Sequence, residues 1–177
     1  QNMSGPLPTL DATSALKIFH GNATQMAKVR FYGAKIYEDG VLTRDYVPCV
    51  TNGVPCLYEA KVGKFFYNDQ GTNSVSFVAG GNIASFGAGS NDAYLQSDGT
   101  QAINVGYYSK PNTKFEIDFA LDEITGQDRI FGVDGSAAKA LDLLYLSGDA
   151  KYAFLCNSSW TGQKGSGILA DTLRHTA

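Results

Sequence analysis

Residues 29–50, VRFYGAKIYEDGVLTRDYVPCV, decide the fold. Asp39-Gly40 stands between AKIY and VLTR. An Asp-Gly pair flanked by runs rich in β-branched and aromatic residues is a hairpin signal, because both turn positions need a left-handed backbone. The stretch therefore predicts strands over Val29–Glu38 and Val41–Val50. Further along, Lys114–Leu121 alternates: Phe115, Ile117 and Phe119 face one way, Glu116 and Asp118 the other. Ser147-Gly148-Asp149 separates LDLLYL from KYAFLC and predicts a second hairpin. Other strands are expected at Ala15–His20, Leu57–Glu59, Lys64–Tyr67, Ala93–Gln96, Asn104–Tyr107, Arg129–Val133, Leu141–Ser147 and Ala150–Cys156. Helix and strand compete over Ser136–Leu146, and the hairpin that follows favours strand. About eleven short strands with frequent turn signals predict an all-β antiparallel sandwich or barrel.

Composition agrees. The 177 residues include 20 Gly, 10 Tyr and 10 Phe but 2 Met, which suits pleated surfaces joined by tight turns. With 44% hydrophobic and 18% charged residues, a packed core is expected rather than disorder. The net charge of -3 argues against nucleic acid as a partner, since phosphate binding needs clustered Lys and Arg. No apolar run approaches the roughly 18 residues of a membrane helix, so no membrane insertion is expected. The chain opens on QNMSGPLPTL, with no basic and apolar leader pattern, and reads as a processed or excised segment.

The run Lys28–Thr72 contains LTRDYVPC (Leu42–Cys49), LYE (Leu57–Glu59) and GKFFY (Gly63–Tyr67). It resembles the closing third of laminin-G-like, concanavalin A-like jelly-roll domains of bacterial and phage surface proteins, with Cys56 where a Gly is usual. Residues 93–119, AYLQSDGTQAINVGYYSKPNTKFEIDF, resemble the opening of the same domain. The resemblance implies a closing half over residues 1–78, a Gly/Ser-rich linker over 79–91 and an opening half over 92–177. No repeat links the halves. Three arrangements follow: one circularly permuted domain, a boundary between tandem repeats, or halves swapped between chains into a filament. The resemblance also implies an extracellular or cell-surface setting. Calcium is its candidate cofactor, held at the sandwich rim by hard oxygen ligands from Asp122, Asp128 and Asp134.

Several residues are candidates for chemistry. Glu116-Ile117-Asp118 is similar to the E-x-D core of jelly-roll glycoside hydrolases, which need a pair of carboxylates roughly 5–5.5 Å apart. The further Glu of that motif is missing, since Ala120 and Leu121 fill its positions. A solvated polar strand face is expected instead, and no enzyme. His20 and His175 read as surface histidines. Cys49 and Cys56 bracket the turn at Thr51-Asn52-Gly53. That spacing suits a small-loop disulfide, with a pair of buried thiols as the alternative; Cys156 reads as a core thiol. Asn2, Asn22 and Asn157 head N-x-[ST] sequons, sites of glycosylation in a secreted chain. Trp160, in the polar segment after Asn157, offers a face for stacking on a sugar; Tyr107 and Tyr108 are a weaker case because alternation buries one. The expected function is a non-catalytic structural or adhesive module that repeats or pairs with copies of itself, with carbohydrate binding as the alternative.

Overall fold

Asp39 and Gly40 take φ values of 50° and 80°, and Asn52 and Gly53 take 52° and 76°, so two hairpins close through two-residue left-handed turns. The computed structural model describes residues 14–19, 27–69, 76–81, 83, 92–123, 129–133, 141–146, 151–156 and 173–176. Its strands are β1 (Leu16–Ile18), β2 (Lys28–Glu38), β3 (Val41–Thr51), β4 (Val54–Glu59), β5 (Lys64–Phe66), β6 (Val78–Gly80) and β7 (Tyr94–Asp98). They continue with β8 (Ile103–Asn104), β9 (Thr113–Leu121), β10 (Arg129–Val133), β11 (Leu141–Leu146), β12 (Lys151–Cys156) and β13 (Arg174–Thr176). One antiparallel sheet runs β12-β11-β10-β1-β8. The other runs β13-β9-β2-β3-β4-β5, with β7 on β2 and β6 on β7. The fold is an all-β sandwich of two antiparallel sheets.

β2 organises the larger sheet. β9 lines one of its edges, from Val29↔Leu121 to Glu38↔Thr113. On the other edge β7 pairs with Lys28–Phe31, and β3 then takes over from Ala34↔Tyr46. The register against β9 slips between Phe31 and Gly33, leaving Tyr32 as a bulge residue. β3 leaves β2 at Tyr46 and continues beside β4 through Thr51↔Val54. In a two-residue hairpin the pair next to the turn is hydrogen-bonded and pairs alternate from there. Pro48 and Pro55 therefore fall at non-hydrogen-bonded pairs, where their missing N–H costs this ladder nothing.

The facing sides of the sheets supply the core. Leu16, Ile18, Ile103 and Phe131 from the smaller sheet meet Val29, Phe31, Ile36, Leu95, Ile117, Phe119 and Leu121 from the larger. A void of about 10 Å³ between Leu16, Ile18 and Phe131 on one side and Phe31, Ile36 and Ile117 on the other marks the seam. That is at the lower limit for one water, and its apolar lining gives a water no partners. Tyr46 is buried against the edge of Phe66, ring centroids 5.9 Å apart, and its hydroxyl makes no hydrogen bond of good geometry among the described residues, although the Arg44 guanidinium is close enough to interact with it. A buried unpaired hydroxyl is a net cost. Tyr46→Phe is expected to raise stability by about 1 kcal/mol in urea unfolding; a loss of stability would mean that the hydroxyl is bonded after all.

The structure revises several sequence boundaries. β4 starts at Val54 rather than Leu57, because Asn52-Gly53 is itself a hairpin turn. Val78–Gly80 forms β6, so the expected linker begins inside a strand; residues 82 and 84–91 lie outside the described set. β8 stops at Asn104, whose Oδ1 accepts the Gly106 N–H at 2.9 Å while Gly106 turns to φ 62°. Leu141–Leu146 is a strand, paired with β10 and with β12, as the second hairpin expects. β13 was not expected at all. The two sequence halves meet in both sheets: β1 lies between β8 and β10, and β2 is paired with β9 and, over Lys28–Phe31, with β7, within one chain.

Candidate functional site

The outer face of the larger sheet gathers the polar side chains. Register aligns Arg174, Ala120, Arg30, Gln96 and Val78 in one row across β13, β9, β2, β7 and β6. Asp122 anchors the middle of that row: Arg30 Nε donates to Oδ1 at 2.6 Å and Gln96 Nε2 to Oδ2 at 2.7 Å. Lys28 Nζ reaches Glu123 at 2.6 Å beside it. Ala120 is buried although it faces outward, in a row with two arginines.

At the β13 end, Arg174 Nε donates to Asp118 Oδ1 at 2.8 Å, and Nη2 takes the other oxygen. The guanidinium lies 4.0 Å over the ring of Tyr32, which the β2 bulge carries. Tyr32 meets Tyr94 edge-on at 5.6 Å. Tyr94 in turn lies over Gly80, where any Cβ would overlap its ring. Asp118 holds the Arg174 pKa above its ordinary value. The cluster fastens β13 and β6 to the sheet through an arginine, two tyrosines and a glycine.

Further along β9, Lys114 Nζ donates to Glu116 Oε1 at 2.7 Å, and Tyr37 Oη donates to Glu116 Oε2 at 3.0 Å. The Lys114 bond dominates and holds the Glu116 carboxyl below its usual range, while the Tyr37 phenol is raised by its bond to Glu116. Glu116 and Asp118 thus share the outer face, as alternation predicts, and both are ion-paired.

The chain matches no protein-family model, no curated protein and no solved structure. The motifs quoted from residues 28–72 and 93–119 alone carry the laminin-G-like resemblance.

The other sequence candidates separate. Tyr107 is the buried member of its pair: its hydroxyl donates to Glu38 at 3.0 Å and contacts Thr113 Oγ1 at 3.1 Å, and burial pushes its pKa up to about 12. It offers no face to a sugar. Tyr108 is 53% exposed. Lys110 holds Glu38 from the solvent side at 2.9 Å and lowers its pKa. Asp122 is taken by Arg30 and Gln96; Asp128 and Asp134 lie outside the described residues, among which no group of three metal-binding side chains occurs. Trp160, Asn157, Asn2, Asn22 and His20 also lie outside them. His175 pairs with Phe119 in β13. Cys49 and Cys56 stand directly opposite each other, but as free thiols with sulfurs 3.2 Å apart, against about 2.05 Å for a bond. The disulfide expected from their spacing is therefore unformed here.

Tyr32, Tyr94 and Arg174 carried no signal in the sequence. A bulge, a close glycine and a three-residue terminal strand bring them together.

Proposed function

We propose that this chain is a non-catalytic structural or adhesive module of the laminin-G-like, concanavalin A-like type, working outside the cell or at its surface and assembling with copies of itself. The observation that carries this reading is the mutual dependence of its halves: β2 is paired with β9 along one edge and with β7 over Lys28–Phe31 of the other, and β1 is flanked on both edges by later strands. Either half alone would expose long sheet edges, and open edges recruit partners. The same pairings made between neighbouring chains join one sandwich to the next, a heterologous contact that propagates. The ion-paired state of Glu116 and Asp118 supports a sheet face built for contact rather than proton transfer.

Sedimentation across a concentration series tests this. Oligomers that grow with concentration, and whose sizes shift when Gly80–Gly89 is shortened, are the expected result. A strictly monomeric, cooperatively unfolding chain at high concentration would overturn self-assembly. Carbohydrate binding is the second reading, favoured by the exposed ring of Tyr108. Saturable glycan binding by the monomer, lost in Tyr108→Ala or Trp160→Ala, would favour it.

A further inference from the structure

We propose that Cys49 and Cys56 are a redox couple that closes, after folding, into a cross-strand disulfide stapling β3 to β4. This does not depend on the assembly reading. The two residues are register partners, the third pair out from the Asn52-Gly53 turn, and both are buried. Directly opposed antiparallel residues have Cα atoms about 4.5–5.5 Å apart, inside the range of about 4.4–6.8 Å that a disulfide spans. The sulfurs already touch at 3.2 Å, so closure needs roughly 1 Å of side-chain movement and no change of register.

The reaction is a two-electron oxidation. With a small disulfide such as oxidised glutathione, one thiolate attacks and releases one reduced glutathione, forming a mixed disulfide. The second thiolate attacks the protein sulfur of that intermediate and releases the other. The protein loses two protons and two electrons, and the oxidant gains them as two thiols. Burial and the contact with Cys56 push the Cys49 thiol up to about 12, and burial raises Cys56 as well. Thiolate is scarce at neutral pH, so closure is slow there and accelerates as the pH rises. The third cysteine cannot substitute without disrupting the sandwich: Cys156 pairs with Leu141 at the end of β12, in the other sheet.

The test incubates the full folded chain with oxidised glutathione at neutral and mildly alkaline pH. It then quenches with acid, unfolds, alkylates and maps peptides by mass. The expected product has Cys49 linked to Cys56 and only Cys156 alkylated, forms faster at the higher pH, and reverts with dithiothreitol. Closing a loop this short should raise the folded-to-unfolded ratio roughly fiftyfold, read as a higher urea midpoint. Cys156→Ser should close as wild type does, while Cys56→Ser should stop at a mixed disulfide or at the free thiol. Three alkylated cysteines after prolonged exposure of the wild-type chain, or a link to Cys156, would overturn the proposal, and both are read on the wild type whether or not a variant folds.

Discussion

Phe19→Ala is expected to cost about 3–5 kcal/mol, and Phe19→Gly to cost less than Phe19→Ala. The usual order is the reverse, because glycine loses more backbone freedom on folding. Phe19 follows β1 with φ at 67°, a left-handed conformation that a bulky side chain rarely adopts. Such a residue stores about 1–3 kcal/mol and persists only where its surroundings fix it. Here they do so. Its ring is fully buried, edge-on to Phe31 at 5.4 Å and tilted on Phe77 at 4.8 Å, and its N–H donates to the Ile130 carbonyl at 2.8 Å. Alanine removes the ring and keeps most of the backbone strain. Glycine removes the ring and the strain together, a difference of about 1 kcal/mol in its favour. Urea unfolding of the three proteins reads the order directly. Alanine equal to or more stable than glycine would mean that the backbone at 19 relaxes once the ring is gone.

That strain was not visible in the sequence, and the reason separates what could be read from what could not. Alternation over Lys114–Leu121 needs only the period of a pleated strand, and it placed Phe115, Ile117 and Phe119 inward with Glu116 and Asp118 outward, as observed. Asp39-Gly40 is equally local, since the turn needs two left-handed residues and those two supply them. Asn52-Gly53 carries the same signal, and taking it only as a turn between cysteines leaves β4 without its first three residues. Non-local pairing has no such signature. β13 is a strand because its backbone finds the edge of β9 more than fifty residues earlier in the chain, and β6 is one because β7 lies beside it. Tyr107 and Tyr108 show the middle case: period two says that one ring is inside, but only Glu38 and Thr113 around its hydroxyl decide that it is Tyr107. The outer-face cluster of Tyr32, Tyr94 and Arg174 joins three such long-range events, so its residues were unreadable singly.

Glu59→Ala is expected to cost about 3–5 kcal/mol, and Glu59→Gln only about 1–2 kcal/mol. Glu59 ends β4 fully buried. Its Oε1 accepts the N–H groups of Asp45 at 2.8 Å and Lys61 at 2.9 Å, and its Oε2 accepts the Val62 N–H at 2.8 Å. Around it the Ala60 N–H donates to the Asp45 carbonyl at 2.8 Å and the Gly63 N–H to the Glu59 carbonyl at 2.9 Å, with Gly63 at φ 70°. One carboxylate thus ties β3 to the turn between β4 and β5. Hydrogen bonds to a charged group contribute about 1.5–3 kcal/mol each, less than additively when they share an acceptor. Alanine leaves three part-buried backbone donors without their shared acceptor. Glutamine keeps a carbonyl oxygen for Asp45 and Lys61 and sets its amide against the Val62 N–H, donor against donor. The two substitutions therefore differ in pattern as well as size. Amide exchange should quicken at Asp45, Lys61 and Val62 in Glu59→Ala, but chiefly at Val62 in Glu59→Gln. Equal losses of stability in the two variants, or faster exchange spread evenly over the sheet, would show that Glu59 acts by filling space rather than by accepting these bonds.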